Sequence, residues 1–317
     1  MTSPFEALPV HFTLPARDAR GRFVRLDSVL REILAAHDYP TCIKLVLAEA
    51  ITLAALIGSL MKQDGGQVTI QAQTEGGIIE LLVVDYRGGE LRGHVRFDAE
   101  RLARLGANPS LFALFGKGYL AMTFDQSFGK GRYQGIVPLD GDSLSQACES
   151  YFTQSEQVPT LIRIAIESDA TGCRSAGYLV QHLPEGEEGR ERLHVRLDHP
   201  EWEHVSILSS TLTHSELLDP TVDGRDLLWR LFHEEDEVRA EDGVPLIKGC
   251  RCNLDHIRDV IGRFPPEDQA EMVGDTGTIV VDCAFCSRAF HLEPQTLVQA
   301  DLSKTDPSNT GPQTGHN

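Results

Sequence analysis

Cys250-Arg-Cys252 is followed, after thirty intervening residues, by Cys283-Ala-Phe-Cys286. Two close thiol pairs brought together make a tetrahedral Cys₄ site for zinc. One residue separates the first pair, a spacing unusual for an ordinary zinc ribbon. Each pair is also close enough in sequence to close on itself as a disulfide. The same four sulfurs can therefore hold a metal when reduced and form two local bridges when oxidised. Around them, 245–300 reads as helices at Leu254 to Ile261 and Pro266 to Met272, then a hairpin of Thr278–Cys283 and Arg288–Leu292 with Cys283-Ala-Phe-Cys286 at its turn. A unit of about 55 residues is too small to rely on its core alone. His256 and His291 lie nearby and are weaker candidate ligands beside four cysteines.

Upstream, 183–244 reads as a charged helical linker. Pro184-Glu-Gly-Glu-Glu-Gly-Arg-Glu191 is a hinge without apolar period. Pro200 suits a first helical turn. Thr213-His-Ser-Glu216 matches a capping box, and Asp219-Pro220 stops that helix. Asp223 caps a further helix carrying Leu227, Leu228, Leu231 and Phe232, followed by the acidic run Glu234 to Glu237. These short helices have little apolar surface to bury among themselves and need a neighbour to stay folded. Leu227, Leu228, Leu231 and Phe232 are the candidate client-binding residues if that neighbour is lost.

Residues 1–182 read as an α+β core. Leu26 to Ala36 and Cys42 to Met61 look helical, the second apolar on most faces and hence buried. Alternating runs at Gln67–Gln73, Ile79–Tyr86, Leu91–Phe97, Tyr119–Asp125 and Arg132–Leu139 are punctuated by Gly and Asp clusters, as antiparallel strands are. A helix at Ser143 to Phe152 and strands at Leu161–Glu167 and Gly177–His182 complete it. No βαβ alternation is present, so a doubly wound sheet is not expected. The segment from Ser303 has the composition of a disordered tail.

The 317 residues carry 29 Lys+Arg against 47 Asp+Glu, a net charge of −18. Such a surface repels phosphate backbones and anionic lipid, so neither nucleic acid nor membrane is an expected partner. Met1 to Phe12 has no secretory pattern, and the longest apolar stretch, Ile51 to Met61, is too short to span a bilayer. A cytoplasmic protein is expected, where clustered thiols mean metal or redox chemistry. Cys42 and Cys148 read as small buried hydrophobes. Cys173 sits in what looks like an exposed turn, where it would be open to reaction. Gly141-Asp-Ser-Leu144 spells a serine-esterase signature, but none of the twelve histidines has Asp three residues before it. Ser143 is better read as a helix cap, and no catalytic residue is named. Phe115-Gly-Lys-Gly118 and Gly129-Lys-Gly131 are turns, lacking the full phosphate-loop pattern.

With these residues in view, the chain resembles the redox-regulated 33 kDa heat-shock chaperones along essentially its whole length. The cysteine pattern is the most specific part. Arg20-Gly-Arg-Phe-Val-Arg25, Arg132-Tyr-Gln-Gly135, Gly141-Asp-Ser-Leu144 through Tyr151-Phe152 to Ser155-Glu-Gln157, and Leu228-Trp-Arg-Leu-Phe-His-Glu-Glu235 add to it. The resemblance implies an ATP-independent holdase with a core, a metastable linker and a zinc domain. It implies one Zn²⁺ held by Cys250, Cys252, Cys283 and Cys286 in the reduced state. Oxidation would pair Cys250 with Cys252 and Cys283 with Cys286, and would favour a homodimer over the reduced monomer. Cys42, Cys148 and Cys173 fall outside the motif. Two other classes fit the residues: a thiol–disulfide oxidoreductase using Cys283 and Cys286, and a binding module with static structural zinc.

Overall fold

The computed structural model describes residues 8–61, 66–106, 109–125, 131–169, 172–183, 199–274 and 277–297. The hinge at 184–191 and the tail from Ser303 lie outside them. The chain divides into two compact units, Met1–Cys250 and Arg251–Asn317.

The first unit opens with β1 (Val10–Leu14), β2 (Ala19–Leu26), α1 (Ser28–Leu34) and α2 (Thr41–Gly58). Next come β3 (Gln67–Glu75), β4 (Ile79–Arg87), β5 (Glu90–Phe97), α3 (Ala99–Leu102), α4 (Leu111–Phe115), β6 (Lys117–Asp125) and β7 (Arg132–Pro138), with β6 crossing back to pair with β3. Then come α5 (Leu144–Tyr151), β8 (Thr160–Asp169) and β9 (Gly172–His182). The unit ends with α6 (Pro200–Ser210), α7 (His214–Leu218), α8 (Gly224–Phe232), β10 (Arg239–Asp242) and β11 (Ile247–Lys248). One sheet has the order β10-β1-β2-β9-β8, the other β11-β5-β4-β3-β6-β7. Every pairing is antiparallel except that of β11 with β5. The architecture is α+β, as the strand punctuation implies.

Helix α2 packs against β2, β8 and β9 of one sheet and β3, β4 and β5 of the other. It is apolar on nearly every face because both sheets cover it, and Ile43, Leu47, Ile51 and Leu56 are fully buried. Glycine permits the close approach. A Cβ on Gly93 would stand 2.9 Å from Leu47 Cδ1, and one on Gly177 would stand 2.6 Å from Thr52 Cγ2. By length and composition α2 could cross a membrane, with mean hydropathy 1.9 over 18 residues, but 67% of it is buried inside the protein, as in a core helix. Glu49 interrupts the apolar run in the sequence. In the fold it is half-buried, and its Oε1 accepts from the Ser145 amide and hydroxyl at 2.9 and 2.7 Å. Burial raises its carboxyl above the usual range despite those bonds.

Ser143 is a cap: its side chain accepts from the Gln146 amide, while Gln146 Oε1 accepts from the Asp142 amide at 2.8 Å. Cys148 is fully buried, its Sγ 3.9 Å from Met122 Sδ. Cys42 is only partly buried. Cys173 is not in an exposed turn. It lies in β9, 4% exposed and part of the core, and burial pushes its thiol up to about 11. The apparent turn is the start of a strand that buries both faces, which the small residues Ser175, Ala176 and Gly177 disguise.

The same sheet has a second apolar face. Val10, Phe12, Leu14, Phe23, Tyr178 and Val180 form a separate cluster with Trp202, Val205, Leu217, Leu227, Leu228 and Phe232 of α6–α8. Leu231 packs at its margin. The neighbour that the linker helices need is therefore the outer face of β1, β2 and β9. Both capping boxes form, Thr213 with Glu216 and Asp223 with Asp226.

The second unit contains α9 (Leu254–Ile261), α10 (Pro266–Glu271), β12 (Ile279–Asp282) and β13 (Ala289–Leu292), the two strands antiparallel. Among its described residues the buried hydrophobic cluster is Ile261, Ile279 and Leu292, with Ile257, Met272, Val273, Val281 and Leu297 partly buried around it.

Candidate metal centre

Cys250 follows β11, whose position is set by backbone bonds from Ile247 N to Gly89 O and from Gly249 N to Leu91 O, both 2.9 Å. Cys252 immediately precedes Asn253, whose side chain caps α9 by accepting from the His256 amide at 2.7 Å. Cys283 leaves β12, and the turn closes through Ser287 N to Cys283 O at 2.8 Å and Cys283 N to Arg288 O at 3.0 Å. Ser287 takes a left-handed conformation, φ 55°, which reverses the chain directly after Cys286. A capped helix start and a tight hairpin turn thus present the thiols.

All four sulfurs lie within 4.8 Å of one another, each half-buried, and no disulfide joins any of them. Cys252 Sγ and Cys286 Sγ, one from each pair, are 3.6 Å apart. Zinc–thiolate bonds of about 2.3 Å in a tetrahedron put sulfurs roughly 3.8 Å apart, so the donor set and its spacing fit zinc. Among the described residues the cluster contains cysteine alone. His256 and His291 are exposed and outside it.

The other candidate residues are placed elsewhere. Leu227, Leu228 and Phe232 are at most 3% exposed, packed on the core sheet. Polar contacts that sequence reading did not find surround them. Arg17 Nε donates to Glu235 Oε2 at 2.8 Å, and Arg17 Nη1 also binds Glu201 of α6. His204 Nε2 pairs with Glu235 Oε1 at 2.8 Å. Burial alone would raise the Glu235 carboxyl, but the Arg17 and His204 bonds hold it below the usual range. Arg25, buried on β2, donates from Nε to Leu217 O at 3.1 Å and from Nη1 to Val222 O, so a core cation grips the linker backbone. Tyr178 and Ser209 hydroxyls meet at 2.8 Å. In the sequence Glu235 stood out only as part of an acidic run and of the family-like stretch Leu228–Glu235, neither of which names Arg17 as its partner.

The family described as Hsp33 protein matches residues 9–293. The 33 kDa chaperonin of Caulobacter vibrioides (strain NA1000 / CB15N) is 41% identical over 291 residues, covering 89% of this chain and 93% of that protein. The 33 kDa chaperonin of Ectopseudomonas mendocina (strain ymp) is 36% identical over 304 residues, covering 94% and 97%. Among solved structures, the crystal structure of a 33 kDa chaperonin from Thermotoga maritima matches with a TM-score of 0.74 at 21% identity, over 92% of this chain and 96% of that one; this likeness concerns the fold. With a family match over residues 9–293 and relatives 41% and 36% identical over most of both chains, this chain belongs to the Hsp33 family.

Proposed function

We propose that this protein is a chaperone of the holdase type, working without ATP and switched on by thiol oxidation, and that it is not an enzyme. The observation that carries the reading is the convergence of Cys250 with Cys252, Cys283 and Cys286, the last three in a unit whose described residues form only a small apolar cluster. Zn²⁺ bound there would offset the mutual repulsion of four thiolates and cross-link two distant segments, contributing on the order of 10–16 kcal/mol. That exceeds the ~3–5 kcal/mol expected from so small a core.

The chain's own residues supply the switch. A thiolate sulfur attacks peroxide, the O–O bond breaks, and sulfenic acid and hydroxide form. The neighbouring thiolate, two or three positions away, then attacks that sulfur; the S–S bond forms and hydroxide leaves. Two thiols are oxidised and one peroxide is reduced to water for each bridge. We assign the bridges as Cys250 with Cys252 and Cys283 with Cys286. Bridged sulfurs no longer serve as ligands, so the unit from Arg251 onward loses its cross-link. Cys250 lies two residues beyond Lys248, so the strap ending in β11 loses its anchor. The linker, functionally 183–244 between a 1–182 core and a 245–300 switch, then separates from the core. Leu227, Leu228, Leu231 and Phe232, and the sheet face beneath them, become available to unfolded clients. The charge of −18 helps keep the complexes soluble. We assign a cytoplasmic location, no nucleic-acid or membrane partner, and a monomer that dimerises on oxidation.

Light scattering from an aggregating, chemically unfolded client tests this. The oxidised protein should suppress aggregation and the reduced, zinc-loaded protein should not. Replacing Cys283 and Cys286 with Ser should abolish both zinc binding and the response to peroxide. Suppression that is indifferent to oxidant would point to a static zinc module. Turnover of a disulfide substrate such as insulin would point to an oxidoreductase, a reading disfavoured by a CxxC pair at a hairpin turn instead of a helix start.

A further inference from the structure

Strand β10 is four residues long and all four are exposed. It pairs with β1 in the register Val10↔Asp242, His11↔Glu241, Phe12↔Ala240, Thr13↔Arg239. The next pair outward is bonded, with Gly243 N donating to Pro9 O at 2.6 Å. Bonded and non-bonded pairs alternate in an antiparallel ladder. His11–Glu241 and Thr13–Arg239 are therefore the bonded pairs, while Val10, Phe12 and Leu14 direct their backbone groups at β2. The ion pairs of Asp242 with Arg225 and of Arg239 with Glu237 stay within the same stretch of chain. The core grips β10 mainly by its backbone.

The opposite edge of this sheet is managed differently. On β8 the Ile162 amide donates to Glu149 Oε1 at 2.6 Å, a side-chain cap from α5. The β1 edge is instead covered by a removable strand, in the segment whose release is proposed above.

We propose that the outer edge of β1 is a docking site for an extended segment of an unfolded client, and that β10 is its place-holder in the closed form. The proposal rests on linker release in the reading above. Backbone pairing suits clients of unrelated sequence, because every chain presents N–H and C=O groups at the same spacing. Val10, Phe12 and Leu14, stripped of α6–α8, would meet alternate client side chains across the new ladder.

The test uses the full-length protein and carboxymethylated α-lactalbumin, a permanently unfolded chain. Thr13→Pro and Glu241→Pro each remove one N–H from the same ladder, from opposite sides, and Thr13→Pro spares the bonds to β2. Both loosen β10, but only Thr13→Pro damages the edge offered to a client. Glu241→Pro should raise client affinity of the reduced protein by roughly threefold to tenfold, the worth of one backbone hydrogen bond, and leave the oxidised protein unchanged. Oxidised Thr13→Pro should bind more weakly than oxidised wild type by a similar factor; equal affinity overturns the proposal. Should Thr13→Pro fail to fold, hydrogen exchange of the wild-type segment 9–15 decides. Protection should fall on oxidation and return when client is added. Protection that returns without client, in proportion to protein concentration, would assign the edge to a second copy and overturn the proposal. Exchange that stays fast with client bound overturns it too, while leaving the holdase reading intact. No client binding by oxidised wild type would sink both.

Discussion

Phe232 of α8 lies against Phe12 of β1, ring centroids 6.2 Å apart, and each is 1% exposed. Phe12 in turn stacks on Tyr178 at 5.6 Å. This aromatic row is the centre of the surface that the linker helices cover, and its loss is the most direct way to uncover that surface.

Phe232→Ala should cost about 3–5 kcal/mol of linker docking, since it removes a fully buried ring. The α6–α8 segment on its own has too little apolar surface to absorb that loss. The reduced, zinc-loaded variant should be cut by protease within 199–242 and should suppress client aggregation without oxidant. Wild-type resistance to cleavage in this variant would show that docking does not depend on the ring.

Arg17 joins the linker at two places, Glu201 and Glu235, and the Glu235 side chain is only 5% exposed. Hydrogen bonds to charged groups are worth about 1.5–3 kcal/mol, and partial exposure of Arg17 lowers this. Arg17→Met should shorten the time from peroxide addition to client binding several-fold. Raising ionic strength should move wild type the same way and leave Arg17→Met little changed.

Acid should loosen the linker before the core. Burial lowers the His182 pKa, with His199 adding to the effect, and burial with Arg22 lowers His11 to about 4. A folded-state pKa below the unfolded value means stability is present above the unfolded value and lost as pH falls. For His11 the loss runs from about 6.5 to about 4. Glu201 and Glu235, both held low, act in the same direction at the acid end. Burial raises Glu49 in the core, so its neutral form is favoured and acid does not penalise it. Protease cutting at 199–242 of the reduced protein should therefore rise between pH 6.5 and 4, with α2 still protected from hydrogen exchange.

Thiol labelling should separate the cysteines into classes. Burial raises the thiols of both Cys148 and Cys173, so neither reaches the reactive thiolate form readily. After metal chelation, maleimide should label Cys250, Cys252, Cys283 and Cys286 fast and half-buried Cys42 more slowly. Labelling of Cys173 on the fast timescale would contradict its place in the core.

What could be read from the sequence was local. The capping box at Thr213, the cap at Asp223, the helix from Leu254 to Ile261 and the hairpin carrying Cys283 and Cys286 depend on residues a few positions apart, whose backbone preferences act without the rest of the chain. The strands between Gln67 and Pro138 were legible for the same reason, through alternation and turn residues, but the crossover that pairs β6 with β3 was not. The thiol spacing likewise named the metal-binding candidates. Strand β2 escaped because Arg20, Arg22 and Arg25 interrupt the apolar pattern; Arg25 is buried all the same, its Nε and Nη1 held by carbonyls nearly two hundred residues away. Strand β10 has no apolar signal at all, being held by backbone bonds. Only the tertiary structure decided which sheet face the Leu227–Phe232 stripe covers, that Arg17 meets a carboxylate 218 positions on, that Cys173 is buried and that four sulfurs converge. Each of these is a choice among distant partners, and hydrophobic burial and charge pairing carry no record in sequence of which partner they find.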